Sequence, residues 1–298
     1  MNQQQSNSSD NLSTEKTPTD WKIHKINIAT SLSWFAEGFK VIGKNPGAWI
    51  ASVVASFVAS LVIIMIITRF MGFFSIFLLP PFFTAGFMFA CYQLKYYDTF
   101  EIGFIFKGFE EKFIQLGILG LFFSLGGMLA FYLSINLSEF LGYKVYAPDG
   151  KLFGTNPQYT ENYISDHINT ISLFFILLIP IFIGLWFAPA IVIFSEIKAL
   201  KAIQYSFKAF FKNLIPLIVF FVVFIIGITV IELLIQLIQQ ADSFLFYIIA
   251  VLYNFTFISL CYALLFVSFE SNFNLKEYKN IDNKPLNPDS NDDSSMTA

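Results

Sequence analysis

Six long apolar runs separated by short polar breaks dominate the chain. They cover about residues 48–68, 72–94, 115–140, 170–196, 214–238 and 243–269. A membrane-crossing helix needs about 20 predominantly apolar residues, and every run reaches that length. The pattern predicts an all-α integral membrane protein with six transmembrane helices. Arg69 is the only charge between the first two runs, so these must form a tight hairpin. Gln239, Gln240 and Asp242 split the last two in the same way. Runs three and four are joined by one long loop, 141–169. Its Pro148-Asp149-Gly150 carries a turn signal between short β-prone stretches, which predicts a small hairpin cap. The chain therefore divides into a polar tail, 1–30, a six-span domain, 31–272, and a second polar tail, 273–298. Both tails lack any hydrophobic pattern and read as disordered.

The charges orient this arrangement. Lysine and arginine accumulate on the cytoplasmic side of short loops. Fifteen of the eighteen basic residues fall in the N-terminal segment, the 95–114 and 197–213 connections, and the C-terminal tail. Only Arg69, Lys144 and Lys151 fall on the other side. Both termini are therefore expected in the cytoplasm. Composition agrees: 56% of residues are hydrophobic and only 13% are charged, where soluble domains carry about 25% charged residues.

The polar breaks hold the candidate chemistry. Lys198, Lys201, Tyr205, Lys208 and Lys212 recur at spacings of three and four, which sets four ammonium groups on one helical face. Leu200, Ile203, Phe207, Phe210 and Phe211 are expected opposite. Such a helix lies in the membrane interface with its lysines toward headgroups. Each lysine attracts anionic lipid by about 1 kcal/mol. Lys40 and Lys44 occupy a similar segment before the first span. Phe39-Lys40-x-x-x-Lys44-Asn45 matches Phe207-Lys208-x-x-x-Lys212-Asn213 letter for letter. A weaker copy, Phe104–Phe113, precedes the third span. The implied unit is an interfacial helix followed by a transmembrane hairpin, used three times.

The second span of each unit carries an interruption: Pro80-Pro81, then Pro180 and Pro189, then Asn254. Proline removes a backbone hydrogen bond and bends the helix, and matching breaks in repeats can line a transporter's binding cavity. No ionisable residue lies mid-span, which argues against an ion-coupled pump. The two histidines, His24 and His167, fall on opposite sides of the membrane, and no hydrolase, nucleotide-binding or paired-cysteine motif is present.

Several motifs resemble those of a family of uncharacterised multi-pass bacterial inner-membrane proteins. They are Trp186-Phe187-Ala188-Pro189-Ala190, Ala199-Leu200-Lys201-Ala202, and Ser206-Phe207-Lys208-Ala209 with Asn213. Gly38-Phe39-Lys40, Asn45-Pro46-x-x-Trp49 and Leu79-Pro80-Pro81-Phe82 add to the likeness. A more distant similarity is to the membrane domain attached to some glycerophosphodiester phosphodiesterases, whose soluble catalytic domain has no counterpart here. The resemblance implies a bacterial inner-membrane location and carries no activity. The expected function is non-catalytic: organising or assisting lipids, anionic ones included, or other membrane proteins. A permease for small solutes or lipids is the alternative. An external-face enzyme using Glu139, Glu232 and His167 ranks last. Nothing implies a cofactor, a metal or nucleic acid.

Overall fold

The computed structural model describes residues 21–71, 77–143, 161–241 and 243–275. Every regular element among them is helical. In chain order these are α1 (Ile28–Gly43), α2 (Pro46–Met71), α3 (Pro80–Tyr96), a 3-10 turn (Ile102–Phe106) and α4 (Lys107–Glu111). They continue with α5 (Phe113–Phe140), α6 (Glu161–Trp186), α7 (Ala188–Ile193), α8 (Ala199–Lys212), α9 (Leu214–Ala241) and α10 (Ser243–Phe273). The hairpin expected around Pro148, and both chain ends, lie outside the described residues.

Among the described residues, five helices are long and apolar enough to cross a membrane: Pro46–Ile66, Phe113–Phe140, Ile168–Ile193, Leu214–Leu237 and Phe246–Phe273. The second expected span differs. Pro80 and Pro81 do not kink a helix that began at residue 72; they start α3, at its first positions. Proline suits that place, where its missing N–H has no partner to lose. The resulting 17 residues rise about 26 Å, a little short of the ~30 Å hydrocarbon core. α3 is also buried nearly all round, through Phe82, Phe83, Phe87, Met88, Ala90 and Leu94. The 3-10 turn, α4, α5, α7 and α10 pack around it. Glycine permits the tightest of these approaches. A Cβ on Gly86 would stand 1.9 Å from the Ile105 carbonyl oxygen, and one on Gly108 would stand 2.4 Å from that of Phe82.

The short helices share a common arrangement at one end of the bundle. α1 packs on α10 and α9, the 3-10 turn and α4 pack on α3, and α8 packs on α6 and α7. The long helices behave differently toward the far end. α5 and α6 stay paired, with Phe131 edge-on to Phe174. α9 is exposed on nearly every side beyond Phe220, with Val222, Ile225, Ile226, Val230 and Leu233 all uncovered. Among the described residues, α9 packs on α1, α8 and α10 and makes no more than marginal contact with α5 or α6.

Residues 21–30, expected to belong to the polar tail, are folded. Trp21 is buried edge-on to Phe269 and Phe273. The His24 N–H donates to the Asn272 carbonyl (2.7 Å). Asn27 caps α1 by accepting from the Thr30 N–H. Polar composition hides this strap because its peptide groups are satisfied by side chains nearly 200 residues away.

Candidate functional site

The basic helix α8 is the candidate site, and its surroundings set which lysines are available. Its protein-facing side is a strip of small residues, Ala199, Ala202, Ser206 and Ala209, together with Ile203. This strip lets α8 lie close to α6 and α7. Ser206 makes the joint. Its Oγ donates to the Ile183 carbonyl (2.7 Å) and accepts the Phe187 N–H (3.0 Å). These two backbone groups would bond each other in an unbroken helix. A hydroxyl inserted into the ladder separates α6 from α7, and Pro189 stands at the first positions of α7. The Trp-Phe-Ala-Pro-Ala and Ser-Phe-Lys-Ala motifs are thus two halves of one structural joint.

The expected arrangement of α8 is corrected by this packing. The apolar residues expected together opposite the lysines are divided: Ile203 is buried against the protein, whereas Leu200 and Phe211 are 65% and 62% exposed. Lys201 and Lys208 are exposed beside them. Tyr205 is only 8% exposed, with the Lys201 and Lys208 Nζ atoms 5.8 and 5.7 Å from its ring centroid. Cation–π contact of this kind holds both ammonium groups over one ring at modest cost. The outward side of α8 therefore has an apolar strip next to a lysine strip.

Lys198 is exposed at the N-cap of α8, and Lys40 is exposed on α1. Lys44 and Lys212 are exposed too and also hydrogen-bond within the protein. Lys44 Nζ donates to the Leu94 carbonyl (2.9 Å) and pairs with Asp98 (2.8 Å), gripping the end of α3. Lys212 Nζ donates to the Ile23 carbonyl (2.8 Å). Beside it, Asn213 Oδ1 accepts the Ile26 N–H (3.0 Å), and its Nδ2 donates to the His24 carbonyl and to Asn272 Oδ1. Lys112, just before α5, pairs with Glu196 (2.6 Å). Lys44, Lys112 and Lys212, which precede α2, α5 and α9, thus each tie a helix end to a distant part of the chain. Lys107 on α4 pairs with Glu110 (2.9 Å) and Glu111 (3.6 Å). The Glu110 hydrogen bond, ahead of the opposing effect of burial, raises its pKa above the ordinary lysine value.

A second polar cluster went unread in the sequence. Glu270, buried on α10, accepts from both Lys95 and Tyr96 at the end of α3, and Glu37 of α1 lies 3.4 Å from the same ammonium. Lys95 and Glu270 each fall one residue past an apolar run, where they look like ordinary boundary charges. Only the packing of α1, α3 and α10 brings them together.

The residues expected to line a cavity are scattered in character. Pro81 and Pro189 are buried at helix starts, whereas Pro80 and Pro180 are exposed. Pro180 lies inside α6. Asn254 does not interrupt α10. It is exposed, and its Nδ2 donates to the Ala250 carbonyl one turn back (2.7 Å). Glu139 and Glu232 are not brought together, since α5 and α9 make no more than marginal contact; the His167 side chain lies outside the described residues.

Comparison with protein-family models, curated proteins and solved structures gives no match.

Proposed function

We propose that the chain is a six-span protein of the bacterial inner membrane, with both termini cytoplasmic, that organises lipids or neighbouring membrane proteins without catalysing a reaction. The outward side of α8 carries this reading. Its apolar strip, Leu200 and Phe211, suits insertion below the headgroups, and its adjoining lysines, Lys201 and Lys208, suit phosphates at the surface. Lys198 and Lys40 extend the same basic level. Lys44 and Lys212, exposed on the same side, are in addition tied to the fold through the Leu94 and Ile23 carbonyls.

In this reading α3 crosses the membrane as the second span, shielded from lipid by the other helices. The chain is then three units, each an interfacial helix followed by two spans. Their neighbours support it: each interfacial element packs on the second span of the preceding unit, with α1 closing the ring on α10. α2, α5 and α9 likewise each touch the interfacial element of the next unit.

The test is retention of anionic lipid by the purified chain. In native mass spectrometry, the double variant Lys201→Gln, Lys208→Gln is expected to hold phosphatidylglycerol about thirtyfold less well, since each lysine contributes about 1 kcal/mol. Unchanged retention would remove α8 as a lipid contact.

A further inference from the structure

The two lysines beside the apolar strip of α8 are not independent charges. Lys201 and Lys208 are seven residues apart, so they stand two turns apart on nearly one line of the helix, about 20° out of register. Tyr205 lies between them, within one turn of each. It is buried against the protein and gives the pair a fixed platform. Both Nζ atoms are held near its ring, 5.8 and 5.7 Å from the centroid. Attraction to the ring restrains side chains that otherwise sweep through many rotamers. The two ammonium groups therefore keep a bounded separation, no more than about 12 Å.

The surroundings narrow the ligand. No acidic residue occurs from Lys198 to Asn213, so α8 brings no carboxylate of its own to these charges. Gln204 is exposed on the same side, one turn from each lysine. Leu200 and Phe211 are exposed along the flank of the row, where acyl chains would pass. A headgroup with one phosphate can sit against one ammonium and leaves the other without a phosphate. Two phosphates on a short bridge meet both at once, and the second contact is then intramolecular, with no second loss of translational freedom. Six bonds join the two phosphorus atoms across a three-carbon bridge. With a hydrogen bond of ~2.8 Å at each end, that reach covers the separation of the lysines. The bridge would then pass Gln204, whose amide can donate to its hydroxyl or to a phosphate oxygen.

We infer that α8 selects a lipid with two phosphodiesters on one glycerol bridge, a cardiolipin-type headgroup, through Lys201, Lys208 and Gln204. Tyr205 is the positioning residue: it sets the spacing of the two lysines and touches no phosphate. The inference deepens the lipid contact proposed above and rests on it.

The experiment is native mass spectrometry of the full chain reconstituted with cardiolipin and phosphatidylglycerol at matched phosphate. The wild type is expected to retain cardiolipin about tenfold better, the scale of one further charge-assisted hydrogen bond. Lys201→Gln or Lys208→Gln alone should bring the two lipids to parity, because one phosphate of the pair then lacks its ammonium. Tyr205→Leu keeps both charges and should lower the cardiolipin preference while leaving phosphatidylglycerol retention intact. Tyr205→Phe keeps the ring and should preserve the preference. Excess inorganic pyrophosphate should displace neither lipid. Equal retention of the two lipids by the wild type, with both reduced in the Lys201→Gln, Lys208→Gln chain, would overturn the inference and leave α8 a general anionic-lipid contact. No change of either lipid in that double variant would instead sink the reading beneath it. A preference untouched by Tyr205→Leu would overturn the role of the ring, and displacement of cardiolipin by pyrophosphate would overturn the choice of a lipid over a soluble diphosphate.

Discussion

Glu270 shows how much a single buried carboxylate depends on its neighbours. It accepts from Lys95 and Tyr96, and the Lys95 ammonium also lies 6.0 Å from the Phe266 ring. Removing one member leaves the other charge partly buried and unpaired, which costs more than the pair itself contributes. Lys95→Met is therefore expected to destabilise the protein by about 1–3 kcal/mol, a range discounted because the lysine keeps some solvent contact. Lys95→Met combined with Glu270→Gln should recover part of that loss. Thermal unfolding in detergent measures both, and equal stability of the wild type and Lys95→Met would show the cluster to be energetically idle. The individual lysines were visible in the sequence, but their roles were not. Lys208 and Lys212 lie on the same helical face, yet one stands over the Tyr205 ring and the other reaches the Ile23 carbonyl. Helical spacing fixes direction around the axis. It does not say what stands there.

At the level of elements, proline acts differently according to position. Pro80-Pro81 and Pro189 begin helices, and Pro180 lies within one. The α6–α7 break needs Ser206 as well, because its hydroxyl satisfies the two backbone groups that the break separates. Ser206→Ala is expected to leave the Phe187 N–H and Ile183 carbonyl unpaired, at a cost of about 1–3 kcal/mol. Ser206→Thr keeps the hydroxyl and tests whether this, and not the volume, is what matters. A drop in melting temperature for alanine with no change in helix content checks it. If alanine melts with the wild type, the inserted hydroxyl contributes nothing. The ends of five long helices were legible to within a few residues. The exception is α6: it starts nine residues earlier than expected, where Glu161–His167 are too polar to register as span, and it ends at Trp186, ten residues before the expected 196, with α7 continuing the run to Ile193.

The whole molecule is a packed end and a looser end. The interfacial helices, α3, α7 and the lower half of α10 form a continuous core, from Trp34 and Trp49 through Phe187 to Phe266. Among the described residues, the half of α9 beyond Phe220 is exposed on nearly every side and pairs with α10. Under the proposed topology, the residues just after α3 and those just before α5 share the cytoplasmic side. A single cysteine at Thr99, in a chain lacking Cys91 and Cys261, should react with a membrane-impermeant thiol reagent only in inverted vesicles. One at Glu139 should react only in right-side-out cells. Labelling of Thr99→Cys from outside would show that α3 does not complete a crossing.

Period and length of apolar runs determined that this chain is helical and membrane-sized, because backbone groups in lipid must be satisfied within each segment. The motifs at Trp186–Ala190 and Ser206–Ala209 marked the joint between α6 and α8. Only the tertiary structure decided which apolar run faces lipid and which lies in the core. α3 and α9 are both apolar along their length, yet α3 is enclosed and α9 is exposed. Hydrocarbon and a protein interior exclude water alike, so hydropathy cannot tell them apart. The Glu270 cluster and the strap at Trp21–Asn27 depend on residues distant in sequence. Contacts of that kind are made by packing geometry, which local spacing does not encode.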